Sequence, residues 1–181
     1  MSRIGRLPIS IPKGVTVKVS DENVVTVKGP LGELSEKIYG AISFKEENGI
    51  LQLSRANEER QNVALHGLYR ALVFNMVRGV TVGYEKALII AGVGYKVTKQ
   101  GKKIILNVGF SHPVEVEEPD GITFTLTNPT EIVVKGIDKE LVGQTAANIK
   151  AIRPVEPYHN YGVRYKGEKV VKKEGKTAGK K

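Results

Sequence analysis

The feature that most constrains this chain is a pattern that occurs twice. Runs of alternating apolar and polar residues are followed by one stripe of three- and four-residue apolar spacing, and the whole arrangement recurs after 80 positions. Ile42-Ser43-Phe44 returns as Ile122-Thr123-Phe124, and Arg70-Ala71-Leu72 as Lys150-Ala151-Ile152. A period of two reads as half-buried strand and a period near 3.6 as amphipathic helix. Strands followed by one helix, twice over, predict a duplicated α+β unit. Within the 181 residues the expected division is a first unit over 1–82, a second over 83–165 and a basic tail over 166–181.

The local signals are specific. V-T-V-K-V (15–19) and V-V-T-V-K (24–28) alternate as strands, separated by the turn S-D-E-N. G-P-L-G (29–32) reads as a hairpin turn. A-I-S-F-K and I-L-Q-L-S pair through E-E-N-G, in which Asn48-Gly49 is a strong hairpin signal. A first helix is expected over Asn57 to Gly79, with Asn57 as N-cap, Gly79 as stop, and Leu65, Leu68, Leu72 and Met76 on the buried face beside Tyr69 and Val73. In the second half, strands are expected at A-L-I-I-A, Y-K-V-T-K, I-I-L-N-V-G-F, I-T-F-T-L and E-I-V-V-K. A helix follows from Asp138, burying Leu141, Val142, Thr145, Ala146, Ile149 and Ile152, and stopping before Pro154.

Charge supplies the first pointer to function. The net charge is +9, and Arg164 to Lys181 contributes +6 of it: one Arg and seven Lys against Glu168 and Glu174. A cationic end on a nearly balanced body suits a polyanion, because each neutralised phosphate releases condensed counterions. No apolar run approaches the ~20 residues that span a bilayer. The start, M-S-R-I-G-R-L-P-I, lacks the apolar region of a secretory signal. The absence of cysteine excludes disulfides, thiolate metal sites and cysteine nucleophiles. A cytoplasmic protein is the expectation.

No reactive constellation is visible. His66, His112 and His159 are far apart in sequence and none has a partner at metal-ligand spacing; His66 reads as a satisfied core histidine. G-V-G-Y (92–95) has no third glycine and opens no helix, so it is a bend and not a dinucleotide fingerprint. No catalytic group, metal, cofactor or small-molecule substrate is expected. What remains is Glu156 to Lys176, where tyrosines that can stack on bases alternate with Arg164, lysines and glycines. These residues leave open an RNA binder, a general binder of polyanions such as DNA or membrane surfaces, and a protein-interaction module.

The motifs taken together resemble the bacterial large-subunit ribosomal protein six family. The resemblance covers nearly the whole chain: M-S-R-I-G-R-L-P-I, V-K-G-P-L-G-E-L, A-L-H-G-L-Y-R-A-L, G-V-G-Y-K, G-F-S-H-P-V and G-I-D-K-E-L-V-G-Q-T-A-A-N-I-K-A-I-R. The family's late marker, P-E-P-Y-K-G-K-G-[IV]-R-Y, stands here as V-E-P-Y-H-N-Y-G-V-R-Y (155–165). The resemblance implies two copies of a small α+β fold, each an antiparallel sheet with one packed helix. It also implies a structural role on large-subunit ribosomal RNA near the stalk base and the factor-binding region, beside other large-subunit proteins, with no catalysis. The candidate RNA-binding residues are Lys96, Ser111, His112, Arg153, Tyr158, His159, Tyr161, Arg164, Tyr165, Lys166, Lys169, Lys172, Lys173 and Lys176. His159 and Tyr161 stand where the family often has lysines, and Asn160 where it has glycine. Two cations are lost there and an aromatic gained, so stacking and hydrogen bonding are expected to replace part of the phosphate pairing.

Overall fold

The computed structural model describes residues 3–20, 22–39, 42–47 and 49–176. Ala41, Asn48 and the tail's last residues, 177–181 with Lys180 and Lys181, lie outside the described residues. The chain divides into two compact units. One holds the chain up to Tyr84 together with Ile137–Lys139, and the other holds Glu85–Gly136 and the chain from Glu140 on.

The first unit runs β1 (Ile9–Ser10), β2 (Thr16–Val19), β3 (Val24–Gly29), β4 (Gly32–Lys37), β5 (Ile42–Glu47), β6 (Ile50–Arg55) and α1 (Arg60–Thr81). Its strands make two antiparallel three-stranded sheets, β2-β3-β4 and β1-β6-β5. The second unit runs β7 (Tyr84–Ala91), β8 (Lys96–Gln100), β9 (Lys103–Asn107), β10 (Val114–Glu117), β11 (Ile122–Asn128), β12 (Glu131–Gly136), α2 (Lys139–Ile152) and β13 (Gly162–Tyr165). Its sheets are β10-β9-β8 and β11-β12-β7-β13. Each sheet of the first unit therefore has a counterpart with the same strand order, and β5 and β11 begin 80 positions apart as the repeat requires. The fold is α+β, built from two tandem similar units. Among the described residues the one added strand is β13, on the free side of β7.

Alternation explains the strands. Val25 and Val27 of β3, Leu51 and Leu53 of β6, Ile104 and Leu106 of β9, and Ile132 and Val134 of β12 are all buried, while the residues between them are half-buried or exposed. This is the period-two pleat of sheets with one covered face. G-P-L-G closes β3 onto β4 through the pairs Gly29↔Gly32 and Lys28↔Glu33, so it is a two-residue hairpin. The β5–β6 hairpin closes at Glu47↔Ile50, with Gly49 at φ 74°.

The first helix differs from expectation at both ends and in its face. It begins at Arg60 after Glu59, which makes no side-chain cap. Asn57 is held in the preceding turn, where its Oδ1 accepts from Asn62 Nδ2 at 2.6 Å and from the Glu59 N–H at 3.4 Å, and Glu58 is drawn to Arg55. Those side-chain bonds keep residues 57–59 out of the helix. Gly79 is no stop: it is buried inside the helix, where a Cβ would lie 2.0 Å from the Ile137 carbonyl oxygen. The stop is Gly83, at φ 80°, whose N–H donates to the Arg78 carbonyl at 3.3 Å. The buried face comprises His66, Tyr69, Val73, Met76, Val77 and Val80, while Leu68 is exposed and Leu65 and Leu72 are half-buried. His66 is satisfied in the core, with Nε2 3.0 Å from the Leu53 carbonyl and Nδ1 3.3 Å from an Arg55 nitrogen. Arginine can only donate, so Nδ1 accepts and Nε2 carries the proton.

The second helix buries Val142, Thr145, Ala146 and Ile149 of the expected face, whereas Leu141 and Ile152, at its two ends, are only half-buried; it ends at Ile152 ahead of Pro154. In this unit Glu118 ties the strands together. Its Oε1 accepts from Lys99 Nζ and from the Phe124 N–H, each at 2.7 Å, while Lys99 also donates to the Phe124 carbonyl at 2.6 Å. The Lys99 hydrogen bond lowers the Glu118 carboxyl below its ordinary range, against an opposing push from burial and with help from the Phe124 N–H. A carboxyl depressed in the fold stabilises it above the ordinary carboxylate range, and that contribution is lost as pH falls through and below it. Denaturant melts from neutral pH down into the acid limb should therefore show Glu118→Gln losing less stability on acidification than the parent. Parallel acid limbs would show that Glu118 carries no such linkage.

Candidate nucleic-acid interface

β13 forms because V-R-Y supplies β-branched and aromatic residues and because β7 presents an open side. Its register is Gly162↔Ala91, Val163↔Ile90, Arg164↔Ile89 and Tyr165↔Leu88. Val163 is fully buried, and its N–H donates to the Arg153 carbonyl at 2.8 Å, beside a parallel bridge between Pro154 and Val163. The strand thus returns against the end of α2 and fixes the loop between them.

That loop is organised by Glu156. The carboxylate accepts the N–H groups of Tyr158 at 2.9 Å and His159 at 2.6 Å, and its Oε1 lies 3.2 Å from His159 Nδ1. The Glu156 N–H in turn donates to the Tyr161 carbonyl at 3.0 Å. Burial pushes the Glu156 carboxyl up, but the backbone N–H donors and the nearby imidazole outweigh it, and the net direction is down. Asn160 sits at φ 62°, a left-handed conformation that asparagine tolerates better than most residues and glycine best.

The fold then assembles a row of rings that are scattered in sequence. His159 stacks on Tyr161, with centroids 5.5 Å apart and planes at 26°. Tyr161 meets Tyr95 at 6.5 Å and 54°. Tyr95 lies against Gly109, where a Cβ would come 2.7 Å from its hydroxyl. The next residue, Phe110, stacks with His112 at 6.3 Å and 23°, and the Arg153 guanidinium lies 5.4 Å from the Phe110 centroid. Phe110 and Tyr161 are about two-fifths exposed, and the His159 side chain is 72% exposed. Such rings with an arginine among them are what unpaired bases stack on.

Of the sequence candidates, His112, Arg153, His159 and Tyr161 come together in this row, with Ser111 exposed between two of its members. Lys96 is exposed next to Tyr95, and Tyr158 is exposed in the same loop as His159. Arg164, Tyr165 and Lys166 lie on β13 and at its exit instead. The Tyr165 ring is flanked by Lys150 Nζ at 4.7 Å and Lys86 Nζ at 5.1 Å. Glu168 binds Lys150 at 2.6 Å and accepts the Tyr165 N–H at 3.0 Å. Lys166 pairs with Glu131 at 2.8 Å. Lys169, Lys172, Lys173 and Lys176 are exposed, and the Lys173 N–H donates to the Pro157 carbonyl at 2.9 Å. Sequence reasoning passed over Tyr95 and Phe110. Each is an aromatic directly after a glycine, and that is the signal that could have marked them.

The family model described as "Ribosomal protein L6" matches the chain twice, over residues 11–83 and 91–166. The chain belongs to the ribosomal protein L6 family. Among its L6 relatives, the "Large ribosomal subunit protein uL6" of Alkaliphilus metalliredigens is 53% identical over 177 residues, 98% of this chain and 99% of that one. The protein of the same name from Caldicellulosiruptor saccharolyticus is 56% identical over 177 residues, 98% of this chain and 97% of that one. That from Caldanaerobacter subterraneus is 55% identical over 180 residues, 99% and 100% of the two chains. The two matched L6 stretches fall on the two structural units, and the second ends at Lys166, directly after β13. Among the described residues no helix is long and apolar enough to cross a membrane.

Proposed function

We propose that this chain is a structural constituent of the large ribosomal subunit that binds ribosomal RNA near the stalk base and the factor-binding region. Its relatives carry the name of a large-subunit protein. The observation that carries the RNA reading is the ring contacts His159–Tyr161–Tyr95 and Phe110–His112 with Arg153 over Phe110, all of these side chains exposed except half-buried Tyr95, continued by exposed lysines of the tail. The second unit, 83–165, bears the RNA contacts, the first, 1–82, completes the scaffold, and the tail over 166–181 adds phosphate contacts. The action is positioning: a rigid surface fixes RNA segments relative to one another, and to neighbouring large-subunit proteins, in the cytoplasmic ribosome. Shape and backbone contacts dominate where the RNA is duplex, because side chains cannot read the deep A-form groove.

The structure dictates how to test the tail. Lys166 and Glu168 are tied to Glu131 and Lys150, so truncation belongs after Glu168, which keeps those pairs and gives up only the Lys173 N–H bond to the Pro157 carbonyl. Filter binding to large-subunit ribosomal RNA over a salt series should then show weaker binding. The slope of log K against log salt should also be shallower, by about 0.7–0.9 for each phosphate that the tail no longer neutralises. An unchanged slope would mean that the tail neutralises no phosphate. A protein-interaction module would instead keep a protein partner at high salt, where an RNA binder lets go.

A further inference from the structure

We infer that the stacked pair His159–Tyr161 is a seat for one unpaired nucleotide, whose base lies on the rings while its phosphate is met by Lys172 and Lys173. This rests on the RNA-binding reading above and specifies which part of the RNA this face takes.

Three observations converge on it. The pair is built in advance: its planes are 26° apart, Tyr95 backs Tyr161, and Glu156 holds the His159 backbone and ring. With a side chain 72% exposed, His159 leaves ring surface open at the end of the row. A base added there extends the stack without rearranging the loop, so little ordering entropy opposes it. The second observation is charge. Between Val155 and Tyr161 there is no lysine or arginine, and the one acid, Glu156, is held toward its ionised form. A phosphate brought onto the rings would meet that carboxylate, whereas a neutral base would not. The third observation is the path of the tail. The Lys173 N–H is bonded to the Pro157 carbonyl, which brings Lys172 and Lys173 beside the loop two residues before His159. Both are exposed, and among the described residues neither is in an ion pair. Rings and cations are therefore separated but adjacent, as a nucleotide's base and phosphate are. A duplex keeps its bases stacked inside and offers nothing for the rings, so the ligand must be a nucleotide splayed from a loop, bulge or end.

The experiment is filter binding of purified large-subunit ribosomal RNA to the full chain over a salt series, with four double variants. His159→Leu with Tyr161→Leu keeps bulk and removes the rings. It should weaken binding on the order of tenfold or more, with the salt slope unchanged. His159→Phe with Tyr161→Phe keeps the rings and should bind within a small factor of the parent, which also controls for folding. Lys172→Gln with Lys173→Gln should reduce the slope by about 0.7–0.9 per phosphate released. His159→Lys with Tyr161→Lys should fail to restore what the leucines lose. A leucine pair that binds like the parent, or a lysine pair that binds more tightly with a steeper slope, overturns the seat and makes the site a phosphate contact. If the parent chain does not bind the RNA in dilute salt, the RNA-binding reading itself fails.

Discussion

Replacing Gly162 with alanine is expected to dislodge β13 and take the candidate interface with it. Gly162 has φ 138°, a region that L side chains rarely occupy, and a Cβ there would lie 2.7 Å from the Pro154 carbonyl oxygen and from Val155 Cα, and 2.8 Å from the Pro154 carbonyl carbon. All three are backbone atoms. They cannot rotate aside as a side chain would, because the Val163 N–H grips the Arg153 carbonyl and Pro154 bridges Val163. Strain at an unfavourable φ is of order 1–3 kcal/mol, and overpacking adds about as much again. The summed loss, about 2–6 kcal/mol, falls on the contacts that keep Val163 buried and order the Glu156 loop. Hydrogen exchange should show the amides of Val163 and Lys166 losing protection while those of β3 and β6 in the first unit keep theirs. RNA affinity should fall with them. Retained protection at Val163 in the alanine variant would refute this account of how the loop is held.

The second large effect compares the two units at one repeat position. Phe44 and Phe124 stand 80 residues apart on equivalent strands, β5 and β11, yet Phe124 is 1% exposed whereas Phe44 is only partly buried. Removing a fully buried phenyl ring forfeits its transfer energy and leaves a cavity, about 3–5 kcal/mol in all. Phe124→Ala should approach that range, and Phe44→Ala should lose distinctly less because water already reaches part of the ring. Two compact units need not unfold in one step, so the comparison calls for hydrogen exchange resolved by unit alongside denaturant melts. Equal losses at the two positions would mean that the burial difference does not govern stability.

Strands and hairpins were legible because their information is local. Alternation at Val24–Lys28 or Ile132–Val134 needs only a two-residue period, and Gly-Pro-Leu-Gly can turn a chain without help from distant residues. The ends and face of α1 were not legible for the opposite reason. Asn57 has the chemistry of a cap, but Asn62 and Arg55 draw residues 57–58 into a turn. Gly79 has the chemistry of a stop, yet it is glycine because Ile137 packs where a Cβ would stand. Leu68 fits the apolar spacing as well as Tyr69 does, and which of the two is covered depends on where the sheets lie. The candidate interface divides in the same way. The cationic end and the tyrosine-rich loop were visible as composition, while Tyr95 and Phe110 read as ends of strands that in the structure start at Lys96 and stop at Asn107. The neighbours of Tyr165 and Lys166 were equally invisible: Lys86 and Lys150 flank the Tyr165 ring, Glu168 takes its N–H, and Glu131 pairs with Lys166.

By itself, then, the order of residues determined the repeat, the class of each unit, the family and the sign of the charge at the end of the chain, since each is written in near neighbours or in a count. Only the tertiary structure decided which aromatics share a surface. Residues 95, 109–112, 153 and 159–161 meet because β13 pairs with β7 and α2 ends at Ile152, and contacts between distant segments depend on the packing of everything between them.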